Sequence, residues 1–211
     1  TSLSEIQKIY FIIDDCKKFG SLPFAGIARI AFIYTKLIKT LKKNKHITEK
    51  DYELFYENCE TITNKMNINL NKITKNSKQK NIFLKDFGHL RPLTYSITSK
   101  NYKENFNNYF SKIPKLEFKK KNTFFLEPKK IKRINNLFKK HKLNIDPKYF
   151  FKEAKKAIEL RELAKFIYSK AINEIFNNLI NLAKEVKIDR KDIDYLSIKN
   201  LLNHYNNLDI Q

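Results

Sequence analysis

The sequence predicts a mainly α-helical domain with a short irregular or extended segment at about 90–128. Three features carry that expectation. Apolar residues recur every three to four positions along most of the chain, the spacing that gathers them on one helix face. Helix-starting signals precede those stripes, Thr48 before one and Asp146-Pro147 before another. Breakers are scarce: the 211 residues hold three glycines and five prolines, of which Pro92, Pro114 and Pro128 fall in the middle.

The first stripe runs through Leu3, Ile6, Ile9, Tyr10, Ile13 and Cys16, and Gly20 is placed to end it as a C-terminal cap. Pro23 suits the first turn of a second helix carrying Phe24, Ile27, Ala28, Ala31, Ile38 and Leu41. Thr48 caps a third, with Tyr52, Phe55, Tyr56, Cys59, Ile62 and Met66 on one face. Residues 64–80, rich in Asn and Lys, read as a helix end fraying into a loop. Within the irregular middle, Thr94 to Thr98 suits a short strand or extended segment. Helix returns at Pro128, and from Asp146-Pro147 a stripe runs from Ala154 to Val186 as one very long helix or two joined by a kink. Asp192 to Tyr205 offers a short final helix.

A hydrophobic fraction of 42% with 13% aromatics is enough for one packed domain. The formal charge of +21 admits an anionic partner, yet its lysines are spread along every segment rather than clustered. The densest basic run, Lys119-Lys120-Lys121, lies among Phe118, Phe124, Phe125, Lys129, Lys130 and Arg133. It reads either as a base-stacking surface or as a solvated loop whose rings pack inward, and the second reading is favoured. Arg29 and Lys36 interrupt the richest apolar run, so no membrane span is expected. Cys16 and Cys59 stand alone on apolar faces and read as free thiols of a cytoplasmic protein. His46, His141 and His204 read as surface residues, and no metal-ligand spacing, Gly-rich phosphate loop, GxSxG or HExxH is present. With Thr1 at its start and one methionine, Met66, the chain reads as a piece of a larger protein.

Gly and Arg are rare against this Lys/Asn/Ile background, so where they stand the backbone freedom of one and the planar fork of the other are expected to matter. Arg29 has Ala25, Gly26, Phe32 and Ile33 three and four positions away, which points its guanidinium into the interior or a cleft. Gly26 leaves room beside it. Such an arginine needs a carboxylate or phosphate partner, within the core or on a ligand. Arg161 interrupts the apolar stripe of the long helix, followed by Glu162 and Lys165, as a buried ion pair or a ligand contact. His89 and Arg91 sit on the constrained run Phe87-Gly88-His89-Leu90-Arg91-Pro92, where they either bind an anionic or amide group or tie a loop to a helix.

Three runs resemble segments of the phosphoenolpyruvate synthase-like phosphotransferases: CKKFGSLPFAGIARIAF at 16–32, FGHLRPLTYSI at 87–97 and AIELRELAKFIYSKAINEI at 157–175. They occur in order across nearly the whole chain, and the background composition is most similar to members that phosphorylate L-glutamine. The resemblance implies a central helical, acceptor-binding domain, preceded by an ATP-grasp domain that uses ATP and Mg²⁺ and followed by a swivelling phosphohistidine domain. It implies L-glutamine or a similar small molecule as acceptor, bound by Arg29, His89, Arg91, Thr94, Tyr95, Arg161, Glu162 and Lys165. An arginine would meet the α-carboxylate, Glu162 the ammonium, and His89 would act as a base or as hydrogen-bond partner of the amide. Phe87, Leu93 and Ser96 depart from the usual Tyr, Gly and Asp of the second motif, and Ser96 removes a carboxylate. The other readings are a different acceptor on the same architecture, a basic helical nucleic-acid-binding module, or a structural spacer.

Overall fold

A computed structural model describes residues 3–73, 77–111 and 123–208. The fold is mainly α-helical, with no strand among the described residues. Among the described residues ten α-helices follow one another: α1 (Glu5–Asp15), α2 (Leu22–Lys43), α3 (Glu49–Glu57), α4 (Ile62–Ile73), α5 (Ser77–Phe87), α6 (Phe106–Tyr109), α7 (Pro128–Lys140), α8 (Pro147–Glu185), α9 (Arg190–Ile193) and α10 (Ile198–Leu208). A π-helical stretch, Cys16–Ser21, joins α1 to α2. Contacts divide the chain into two compact units. One comprises Thr1–Pro23, Ile68–Lys115 and Lys165–Gln211, the other Phe24–Asn67 and Leu116–Ala164.

The second unit is built on aromatic packing. Phe55 of α3 meets Phe124 and Phe151 edge-on at centroid distances of 5.3 and 5.6 Å, and Phe150 of α8 meets Phe138 of α7 at 5.1 Å. Ile38, Leu41, Ile134 and Ala154 complete this core. Each buried large side chain stabilises by about 1.5–3 kcal/mol through the water it excludes. Thr48 caps α3 as its sequence indicates: Asp51 N–H donates to its hydroxyl, and the Asp51 carboxylate accepts from the Thr48 N–H. The same carboxylate takes Lys130 Nζ of α7 at 2.8 Å, so cap and ion pair share one acid. Asp146 caps α8 through the N–H groups of Lys148 and Tyr149.

In the first unit, Ile9 and Ile13 of α1 pack with Ile175, Leu179 and Ala183 of α8 and with Ile193 of α9. A second cluster stacks Phe83 and Phe87 of α5 with Phe106, Phe110 and Phe166.

Several boundaries differ from expectation. Gly20 does not end a helix; it lies within the π-helical stretch, and a Cβ placed on it would stand 3.0 Å from Tyr168 Cβ. Its role is close approach. The third helix stops at Glu57, and the stretch read as a fraying end forms α4 and α5. Thr94 to Thr98 is a series of turns. The last helix is two, α9 and α10. Glu5–Lys43 is one helical run, long and apolar enough by length and composition to cross a membrane, at hydropathy 1.3 and 17% buried in its most apolar window. Length and composition alone thus admit one candidate span where none was expected, a weak signal for a single helix near the start of the chain.

Candidate functional site

The run Phe87-Gly88-His89-Leu90-Arg91 leaves the end of α5 and folds into a tight turn in the first unit. Gly88 N–H donates to Leu84 O, and a Cβ at Gly88 would lie 2.2 Å from that oxygen. Only glycine fits there. The turn is then closed by two backbone bonds, Tyr102 N–H to Leu90 O and Lys103 N–H to Gly88 O.

Arg91 is 6% exposed. Its guanidinium donates to the carbonyls of Ser96 and Ser99 and, at 2.5 Å, to Asn173 Oδ1 of α8. It lies over the Phe176 ring at 4.8 Å. Asn101 donates to the same Asn173 oxygen; its N–H donates to the Glu104 carboxylate, its Oδ1 accepts from the Glu104 N–H, and that carboxylate also takes Arg190 at 2.9 Å. Burial pulls the Arg91 pKa down, while Glu104 opposes that shift. The Glu104 carboxyl is held below its usual range: burial raises it, and the Asn101 N–H and Arg190 outweigh that effect. Arg91 is thus consumed by internal acceptors and holds the turn to α8 rather than awaiting a ligand. Asn101, Glu104, Asn173 and Arg190 complete a network that the sequence reading did not include. Arg190 was within reach, since it is as rare against the lysine background as the three motif arginines. The two asparagines are hidden in an Asn-rich chain.

His89 is half-buried, its ring edge-on to Phe166 of α8 at 4.9 Å. Nε2 is buried with no hydrogen-bond partner among the described residues. Burial, then Lys170 and Arg91, push its pKa down to about 4 against the pull of the Phe166 and Asp86 carbonyls. At neutral pH the ring is uncharged. Thr94 is half-buried. Tyr95 is exposed over most of its surface, although its hydroxyl makes a short hydrogen bond to that of Tyr168. Lys165 is exposed.

Arg29, Arg161 and Glu162 belong to the second unit. Arg29 is exposed on α2 and makes no ion pair among the described residues, so the expected interior or cleft position is corrected. The reason is orientation: Ala28 and Ala31 turn inward, and Arg29 shares the opposite face with Phe32 and Ile33, each 60% exposed. Nothing lies within 4 Å of a Cβ built on Gly26, so that glycine is not demanded by packing. Arg161 donates from Nε and Nη2 to Glu162 Oε1 at 3.2 and 2.8 Å and stacks over Phe32 at 5.2 Å. Glu162 is therefore already neutralised by its neighbour.

The Lys119-Lys120-Lys121 run lies outside the described residues. Of its companions, Phe124 packs on the core, Lys130 is bound to Asp51 and Arg133 donates to Lys45 O, leaving Phe125 69% exposed. His46, expected on the surface, is half-buried, with a pKa lowered by burial and by Arg133.

No protein-family model, curated protein or solved structure matches this chain.

Proposed function

We propose that this chain is the acceptor-binding helical domain of a cytoplasmic phosphoenolpyruvate synthase-like phosphotransferase, of the L-glutamine kinase type that serves capsular polysaccharide phosphoramidate biosynthesis. The parent enzyme would move a phosphoryl group from ATP through a phosphohistidine to the side-chain amide nitrogen of L-glutamine, giving glutamine phosphate, AMP and phosphate. Support comes from the order of the three motif runs, the helical architecture and, above all, His89. Its buried, uncharged ring beside an aromatic edge, with no hydrogen-bond partner found for Nε2 among the described residues, is the observation on which the proposal turns.

With its proton on Nδ1, the ring presents a lone pair at Nε2 that can accept an amide N–H. An amide nitrogen is a poor nucleophile, and a hydrogen bond drawing density toward it favours the imidate-like form. A conjugate acid near pKa 4 makes His89 a weak proton acceptor at neutral pH. Of its two expected roles, hydrogen-bond partner of the amide is the one supported. On this reading ATP and Mg²⁺ are held by the ATP-grasp domain.

Imidazole NMR resonances test the assignment. His89 should not titrate between pH 8 and 5.5, and its signals should shift when L-glutamine is added. Shifts confined to the other three histidines would sink it.

A further inference from the structure

The second unit contains a cavity of about 490 Å³ that the motif residues leave untouched. Phe55, Phe124, Phe125 and Phe151 give it an aromatic lining. Phe55 and Phe151 are buried core residues, so that wall is rigid, whereas Phe125 keeps an apolar surface facing water. Lys148, Lys152 and Lys155 also line the cavity, placed by α8 at i, i+4 and i+7 on one helix face. Lys155 has a partner in Glu159 at 3.7 Å. Lys148 and Lys152 are exposed, and among the described residues they enter no ion pair and no acidic side chain lines the cavity.

An apolar hollow edged by cations of a single sign is complementary to a molecule with an apolar body and one anionic head. We propose that this cavity binds an amphipathic carboxylate, acyl or aryl, with its body against the phenylalanines and its head at Lys148 and Lys152. The size lies in the range of small-molecule sites, and the mix of apolar walls with few charged groups is their usual composition. A nucleic acid would find a concave pocket here rather than an extended groove, and a neutral lipid would leave the lysines unanswered.

Sodium octanoate is the probe, titrated calorimetrically into the intact chain, with 1-octanol and octylammonium as neutral and cationic matches. Saturable one-to-one binding of octanoate is expected, roughly tenfold or more tighter than octanol, and weakened by added salt. Octylammonium should not compete. Lys148→Glu/Lys152→Glu should lose roughly tenfold or more in affinity, while Lys148→Arg/Lys152→Arg keeps it. Both side chains are exposed, so each variant should show the parent's helical circular dichroism and melting. Octanol binding as tightly as octanoate, undiminished octanoate binding in the glutamate variant, or no octanoate binding at all would overturn the proposal. L-glutamine titrations are independent of these outcomes.

Discussion

Five arginines stand in a chain whose other cations are lysines, and their surroundings separate structural from available ones. Arg91 and Arg190 knit the turn after α5 to its neighbours, Arg133 meets a backbone carbonyl, Arg161 meets Glu162, and Arg29 faces water. Arg91→Ala removes three donated bonds and a buried side chain, with Asn101 still serving the Asn173 oxygen and Arg190 the Ser99 carbonyl, so it should destabilise the protein by about 2–4 kcal/mol. Arg29→Ala should change stability by less than about 0.5 kcal/mol. Denaturant midpoints of the two variants check the contrast, and equal losses would mean Arg29 is anchored after all. His89 has a pH signature. Its folded pKa, about 4, lies below the ordinary 6.5, so between them the unfolded chain binds more protons. Its contribution is therefore fully present above about pH 6.5 and is lost as pH falls toward 4. Because the ring is partly exposed, about 1–2 kcal/mol is expected after screening. His89→Gln should flatten that slope relative to the parent in urea melts at pH 7.5 and 5. Rarity in composition picked out both residues, yet it could not tell a guanidinium tied to carbonyls from one left open.

Helix interiors were legible where their ends were not. Apolar stripes and the caps at Thr48, Pro128 and Asp146 place α2, the start of α3, α7 and α8, because capping chemistry is local. Helix stops are written here in another way. Lys45, Lys142 and Lys187 each adopt φ of 57° just beyond α2, α7 and α8. The next N–H reaches back across the last turn in each case: His46 to Leu41 O, Leu143 to Phe138 O, and Ile188 to Ala183 O. These are Schellman caps with lysine at the position glycine usually takes. A search for glycine stops therefore finds none of them and lands on Gly20, whose missing Cβ serves its approach to Tyr168. The break after α3 is similarly hidden, since Glu60 N–H is held by the distant Glu159 carboxylate at 2.6 Å. Lys142→Gly should stabilise the protein by about 0.5–1 kcal/mol by relieving the left-handed strain. A raised thermal midpoint checks it; a lowered one would show that the lysine side chain contributes more than the strain removes.

At the scale of the whole molecule, helical class was plain from periodicity, whereas the division into two compact units was not. Each unit is assembled from segments far apart in sequence, and α8 supplies residues to both. Stripe patterns show that a face is buried, but not against which partner. The eight candidate residues are distributed the same way, with His89, Arg91, Thr94, Tyr95 and Lys165 in one unit and Arg29, Arg161 and Glu162 in the other. Net charge of +21 is a weak guide to partners at this scale, since lysines dot every segment and several are engaged in pairs on their own helix. Acceptor binding remains the decisive property. Calorimetric titration of this chain with L-glutamine, beside L-glutamate and L-asparagine in the same buffer, measures it most directly. Saturable heat with L-glutamine alone, lost in a folded His89→Ala variant, is the expected result. Equal heats with all three amino acids, or an L-glutamine response unchanged by His89→Ala, would contradict an acceptor site built on this histidine.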